Sequence, residues 1–151
     1  MVAWNVFATA APELAAKGRR LFERRGDGEA LLATVRGDNP PRIHPINVAI
    51  VSGRLLAFLI VGSAKVADLA ADGRYALHAH QDPAEPHEFL VRGRAREITD
   101  PTTRAAVAGA WAFAVEDGYR LFEFGIDHAV FGERASADDW PPVYTSWRSK
   151  P

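Results

Sequence analysis

The sequence contains no cysteine and a single methionine among its 151 residues. The absence of cysteine excludes disulfide bonds, thiolate nucleophiles and cysteine-ligated zinc or iron–sulfur centres. A strong charge of one sign is also missing, because 18 basic residues balance 19 acidic ones and the net charge is −1. We therefore predict no nucleic-acid partner and no general attraction to an anionic membrane.

Long apolar runs are missing as well. No stretch reaches the roughly 20 residues needed to cross a bilayer, and the N-terminus does not combine a basic segment with a long apolar core. With 48% apolar and 25% charged residues, the composition is that of an ordinary globular domain. We expect one cytoplasmic domain over residues 1–151, with an N-terminal arm over about residues 1–10.

What the sequence does contain is a series of short apolar segments at even spacing, which predicts a mainly β protein: a small β-barrel with flanking helices. The predicted strands cover residues 30–35, 42–51, 55–61, 74–80, 87–97, 121–125, 129–133 and 143–148. The predicted helices cover residues 12–25, 63–72 and 100–115, the last beginning with an Asp–Pro pair.

The segment over residues 43–69 is the strongest candidate for function. Two apolar strands joined by a tight turn lead directly into a helix that opens with Gly62, Ser63, Ala64 and Lys65. Ser63 is the expected N-cap, because its hydroxyl can accept from the free N–H groups of the first turn. Those N–H groups, the helix dipole and Lys65 together predict a phosphate site. Taken alone, the local features favour the simpler interpretation, a capped helix with an exposed lysine.

The order of these elements, with G-S-x-K at the junction and D-G-R-Y-A-L-H after the helix, resembles the pyridoxamine 5′-phosphate oxidase-like family. The similarity extends from about Glu13 to Trp147–Arg148. It implies an FMN-binding split β-barrel and a homodimer with two cofactor sites at its interface. We also expect the following aromatic residues to contribute to that interface: Trp111, Phe113, Phe122, Phe124 and Trp147.

The resemblance further implies an FMN-dependent oxidoreductase with a small-molecule substrate. Two alternatives remain open. One is a reductase that uses a deazaflavin coenzyme, and the other is a non-catalytic protein that binds flavin or haem. The sequence identifies no general acid or base.

The phosphate end of the cofactor site is assigned by resemblance. Ser63, Ala64 and Lys65 match the phosphate-binding turn of the family. His44 lies where the family often has a basic residue near the cofactor phosphate, so that it could donate to the phosphate. The alternative for His44 is a hydrogen-bonded strand histidine, and the two interpretations carry equal weight.

The remaining cofactor contacts are assigned in the same way. Ile46 and Asn47 match the strand that runs along the isoalloxazine ring. Phe58 and Leu59 match positions along the ribityl and phosphate tail, and they also fit plain barrel core. Trp147–Arg148 resembles an aromatic–arginine ending that can approach the flavin across a dimer interface, with packing against the barrel wall as the alternative.

A metal site is not predicted. His78 and His80 lie two residues apart on one strand and could form a ligand pair. No carboxylate or third histidine has a matching spacing.

Overall fold

Seven antiparallel strands form one sheet in the computed structural model, which describes residues 1–150. The strands are β1 (Glu29–Thr34), β2 (Arg42–Val51), β3 (Arg54–Ile60), β4 (Arg74–Ala79), β5 (Glu88–Ile98), β6 (Tyr119–Glu133) and β7 (Val143–Arg148). The helices are α1 (Trp4–Ala10), α2 (Pro12–Glu23), α3 (Ala64–Asp72), α4 (Pro101–Val107) and a 3-10 turn over Ala108–Ala110.

The sheet closes on itself. Its strands lie in the order β3-β2-β1-β4-β5-β6-β7, and an additional pairing of β3 with β6 completes a six-stranded barrel to which β7 is attached. Closure removes the free edges that an open sheet of this size would expose. The predicted mainly-β split barrel with flanking helices is therefore confirmed.

The barrel core consists of alternate strand residues that point inward. Leu32, Leu77 and Phe89 are each fully buried there. The predicted helix α2 packs against one end of the barrel through Gly18, where an added Cβ would lie 2.2 Å from the Phe89 ring. Glycine at this position therefore lets the helix approach the aromatic core closely.

The first ten residues differ from the prediction of an arm. They contain α1, and its side chains Trp4 and Phe7 are 3% and 0% exposed. The Trp4 and Phe7 rings meet edge to face with centroids 5.3 Å apart. Two apolar residues three apart share one helix face, but a helix of seven residues is too short to show a clear period.

Two other boundaries differ from the prediction. The segment predicted as two strands is the single 15-residue strand β6, in which a local irregularity opposite Arg92 and Gly93 accommodates the polar Asp127–His128 pair. Helix α4 begins at the predicted place, because Asp100 accepts a hydrogen bond from the Thr103 N–H at 2.9 Å. It ends at Val107 and not near residue 115.

The segment after α4 forms a second, smaller core on the outer face of β3 and β6. Trp111 packs there with its ring centroid 4.8 Å from that of Phe58. Its indole Nε1 donates to the Asn47 backbone carbonyl at 3.0 Å. This hydrogen bond ties the segment to β2, across the region where β2 and β3 separate.

Candidate cofactor-binding site

The barrel is split between β2 and β3. The two strands pair only over Val48–Val51 and Arg54–Ala57. Beyond this hairpin, residues 42–47 pair with β1 alone and residues 58–60 pair with β6 alone. The strands therefore diverge and leave a gap in the barrel wall.

Backbone groups of β2 face this gap. The Val48 N–H donates to the Gly28 carbonyl at 2.8 Å, toward β1. Because successive residues of a strand direct their N–H and C=O groups to opposite sides, those of Asn47 and Pro45 point toward the gap. Proline lacks an N–H group and is tolerated at such an unpaired edge.

A groove of about 300 Å³ lies in the gap between β2 and β3. Five of the ten predicted cofactor residues line it: Ile46, Asn47, Phe58, Leu59 and Lys65. Leu59 is also 2% exposed and belongs to the barrel core, so that the core interpretation holds for this residue as well. Phe58 is 4% exposed, but it packs in the second core on the outer face of β3 and not in the barrel core. The structure thus brings the β2, β3 and α3 predictions together in one place.

Sequence reasoning missed two aromatic residues of the groove. Phe113 and Tyr119 line it, and their stacked rings lie 5.3 Å apart. Phe113 reaches the site because the segment after α4 folds back over β3, and Tyr119 reaches it because the first residue of β6 pairs with Ile60 of β3. The sequence contains a local signal only for the turn between them, at Asp117–Gly118, and nothing that places this turn beside β2.

The N-terminus of α3 lies at one end of this groove, where Lys65 is. The predicted Ser63 side-chain cap is wrong: the Ser63 hydroxyl donates to the Ile60 carbonyl at 2.7 Å and bonds no N–H of the first turn. Gly62, with φ +81°, provides the turn that brings Ser63 back over β3. The first three N–H groups of α3, from Ala64 to Val66, therefore lack helical and side-chain acceptors and present the positive end of the dipole.

His44 belongs to a chain of polar groups behind the groove. Asp68 is 2% exposed, and its carboxylate accepts from Arg42 at 3.1 Å. The buried Thr34 hydroxyl donates its one hydrogen to Asp68 at 2.9 Å. Thr34 Oγ1 can then only accept from His44 Nε2, which lies 3.2 Å away. The network thus selects the tautomer of His44 that carries its proton on Nε2.

The protonation of His44 follows from its surroundings. Partial burial lowers its pKa most, the charges of Lys65 and Arg42 lower it further, and Asp68 opposes them. At neutral pH the ring is uncharged and Nδ1 is an acceptor. His44 is therefore a hydrogen-bonded strand histidine in this structure. Donation to a phosphate, which stays a prediction, requires a second proton on Nδ1.

The two C-terminal candidates lie elsewhere. Trp147 packs inward, with its ring centroid 5.0 Å from that of Phe7, and Arg148 lines a separate depression on the outer face of the barrel. Within one chain neither residue lines the β2–β3 groove. Their predicted approach to a flavin across a dimer interface stays a prediction.

No three histidine, aspartate or glutamate side chains within residues 1–150 come together in a way that could hold a metal ion. None of the described helices is long and apolar enough to cross a membrane.

The fold resembles that of several solved structures. A NimC/NimA family protein from Clostridium acetobutylicum has 16% identity and a TM-score of 0.63, with 87% of this chain and 94% of that chain covered. A heme binding protein from Mycobacterium smegmatis has 14% identity and a TM-score of 0.64, with 88% and 57% covered. A Listeria innocua protein described as a pyridoxamine 5′-phosphate oxidase has 11% identity and a TM-score of 0.59, with 76% and 94% covered.

No protein-family model matches the sequence, and no curated protein matches it. At such low identities the structural likeness establishes the fold, which is the split barrel of pyridoxamine 5′-phosphate oxidase-like proteins. What the barrel binds has to be argued from the groove itself.

Proposed function

We propose that the β2–β3 groove binds FMN and that the protein is an FMN-dependent oxidoreductase acting on a small molecule. One observation carries this proposal: a single groove combines unpaired β2 backbone groups, aromatic walls and the Lys65 end of α3. Each of these three features suits a different part of the cofactor.

The isoalloxazine ring fits the wide part of the groove. It is flat and aromatic along its faces and has alternating donors and acceptors at one edge. Phe113, Tyr119 and Ile46 offer apolar contact surface. The Asn47 N–H and the Pro45 carbonyl face the gap, where they can bond the polar edge without any particular side chain.

The phosphate fits the α3 end. Lys65 supplies a full positive charge, and the first-turn N–H groups supply donors aimed at an anion. The observed Ser63 geometry favours this role, because a side-chain cap would have occupied one of these donors.

When bound, FMN supplies the electron transfer, and the residues of this chain bind it, orient it and exclude water. Phe58 and Leu59 form the apolar floor of the groove. Haem is favoured less, because the groove lining contains no histidine, the side chain that commonly ligates haem iron.

A homodimer completes the proposal. Most of the aromatic residues expected at its interface are buried within the protomer. Trp111, Phe122 and Phe124 are 8%, 1% and 0% exposed. Apolar surface is instead offered by Ile43 and Ile60, which are 70% and 55% exposed near the split. A second copy placed against these side chains would cover the open side of the groove.

Titration of the purified protein with FMN and with riboflavin tests the proposal by flavin fluorescence. We expect FMN to bind at least about tenfold more tightly, since a charge-assisted phosphate contact contributes about 1.5–3 kcal/mol. Equal affinities would remove the phosphate site. Sedimentation at micromolar concentration tests the dimer, and turnover of bound FMN with a reduced nicotinamide donor separates an enzyme from a flavin carrier.

A further inference from the structure

A second concentration of charge lies on the outer face of the barrel, away from the groove. Arg92, Arg94, His128 and Arg148 line one depression of about 380 Å³, together with Arg74. The depression crosses β4 to β7 and shares no lining residue with the β2–β3 groove.

The strand register places these basic residues directly opposite one another. Arg92 pairs with His128, His128 pairs with Arg148, and Arg74 pairs with Arg94 on the neighbouring strands. Like charges at directly opposite positions of antiparallel strands repel and reduce stability. This face therefore carries an electrostatic cost that the fold itself does not require.

Few of these charges are compensated within residues 1–150. Arg74 is paired with Asp72 at 2.5 Å, and Asp127, the acidic residue of the depression, is paired with the Met1 amino group at 2.8 Å. Arg92, Arg94 and Arg148 form no ion pair or side-chain hydrogen bond in the described part of the chain. Three guanidinium groups thus line the depression without an ion pair among the described residues.

His128 adds an observation of a different kind. Its Nδ1 atom is buried and has no hydrogen-bond partner among the described residues. Burial and the neighbouring Arg148 and Arg92 lower the pKa of this imidazole. A bound anion would offset the arginine charges that lower this pKa.

We propose that this depression, defined by Arg92, Arg94, His128 and Arg148, is a binding site for a small polyanion that carries at least two phosphate or carboxylate groups. More than one anionic group is needed because Arg92 and Arg148 lie two strands apart, or about 10 Å between backbones. Arginine suits such ligands, since its planar fork pairs with phosphate and carboxylate oxygens two at a time.

Calorimetric titration with inorganic tripolyphosphate tests the site. We expect one tripolyphosphate per chain and binding at least about tenfold tighter than that of orthophosphate at matched ionic strength. Arg92→Gln and Arg94→Gln should each weaken tripolyphosphate binding about tenfold or more. Arg120→Gln removes the same charge from a residue of β6 that is paired with Glu97, and it should change binding less than about twofold.

Melting curves recorded with and without tripolyphosphate compare each variant with itself. They therefore still report ligand binding if a substitution changes the stability of the protein. Without tripolyphosphate, Arg92→Gln should melt at or above the wild-type temperature, because it removes a guanidinium that has no ion pair and lies on the same face as Arg94 and Arg148. With tripolyphosphate the order should reverse, since only the intact site gains from the ligand. Failure of wild type to bind tripolyphosphate, or equal affinity in Arg92→Gln, would overturn the proposal.

The site is separate from the β2–β3 groove of the same chain, and the same titration tests whether it is also separate from the flavin site of a partner copy. Tripolyphosphate should bind equally well with and without saturating FMN. Loss of binding in the presence of FMN would make this face part of the flavin site of a partner copy and would overturn the assignment of a separate site.

Discussion

The closed side and the split side of the barrel wall differ in how far neighbouring strands pair their backbone groups. On the closed side, β5 and β6 pair along the whole of β5, from Glu88–Gly132 to Ile98–Leu121, with one irregularity between Arg92 and Gly93. On the split side, β2 and β3 pair over only four residues of each strand before they diverge. Where the ladder is complete, side-chain packing sets stability. Where the ladder stops, backbone groups of β2 and the Lys65 side chain can bind a ligand.

This comparison predicts that the largest stability effect belongs to the closed side. Phe89→Ala should reduce the free energy of unfolding by about 3–5 kcal/mol, because it empties a fully buried site between Phe22 and Trp4. Chemical denaturation measures the loss. Leu90→Ala, on the outward face of the same strand, is the control and should cost about 1 kcal/mol. Equal losses would mean that the closed side is not the rigid part of the molecule.

A substitution on the split side should change ligand binding and not stability. Lys65→Ala should weaken FMN binding about 10- to 100-fold, which corresponds to the loss of about 1.5–3 kcal/mol. Without FMN the variant should melt at the same temperature or slightly higher, since a cation at the start of a helix opposes the dipole. Lys17→Ala, a matched exposed lysine paired with Glu133, should leave FMN affinity unchanged. An equal gain in melting temperature from FMN in Lys65→Ala and wild type would refute the site.

The polar chain of Thr34, His44 and Asp68 joins β1, β2 and α3 on the split side. Thr34→Val keeps the side-chain volume but removes the hydroxyl between Asp68 and His44, and it should cost about 1–3 kcal/mol. The specific signature is in the His44 ring: long-range ¹⁵N NMR should show Nε2–H in wild type and a mixture of tautomers in the variant. Thr145→Val, on an exposed part of β7, should change neither quantity. A wild-type ring already protonated on Nδ1 alone would contradict the network.

The smallest effect is expected from the ion network that Glu123 of β6 forms with Arg54 and Arg96 on the outer face of the barrel. The Arg54 hydrogen bond, helped by Arg96 and opposed by burial, holds the pKa of Glu123 below its ordinary value of 4.5. A depressed folded-state pKa stabilises the protein above the unfolded value, and this contribution, on the order of 1 kcal/mol, is lost as the pH falls below about 4.5. Glu123→Gln should flatten that part of the stability–pH curve, whereas Glu13→Gln should not. An unchanged slope in Glu123→Gln would exclude this network as its source.

Much of the fold follows from local sequence. The Asp100–Pro101 start of α4 and the Gly73 end of α3 are fixed by short-range hydrogen bonds and by a positive φ that glycine adopts without strain. The bounds of β2 and the presence of Lys65 beside a helix N-terminus are equally local features. The sequence by itself therefore determined the elements, their order and one half of the groove.

The tertiary structure decided which distant elements meet. Tyr119 is a groove wall because β6 pairs with β3 at Ile60, and the segment that carries Phe113 is held near the groove by the Trp111 indole, which donates to the Asn47 carbonyl across 64 positions of the chain. The cationic face exists only through the register that sets Arg92 opposite His128 and His128 opposite Arg148. Strand pairing carries no signal in any single strand, because the same alternation of side chains is compatible with many partners and registers. Closure of the barrel selects one of them, and with it the position of the split.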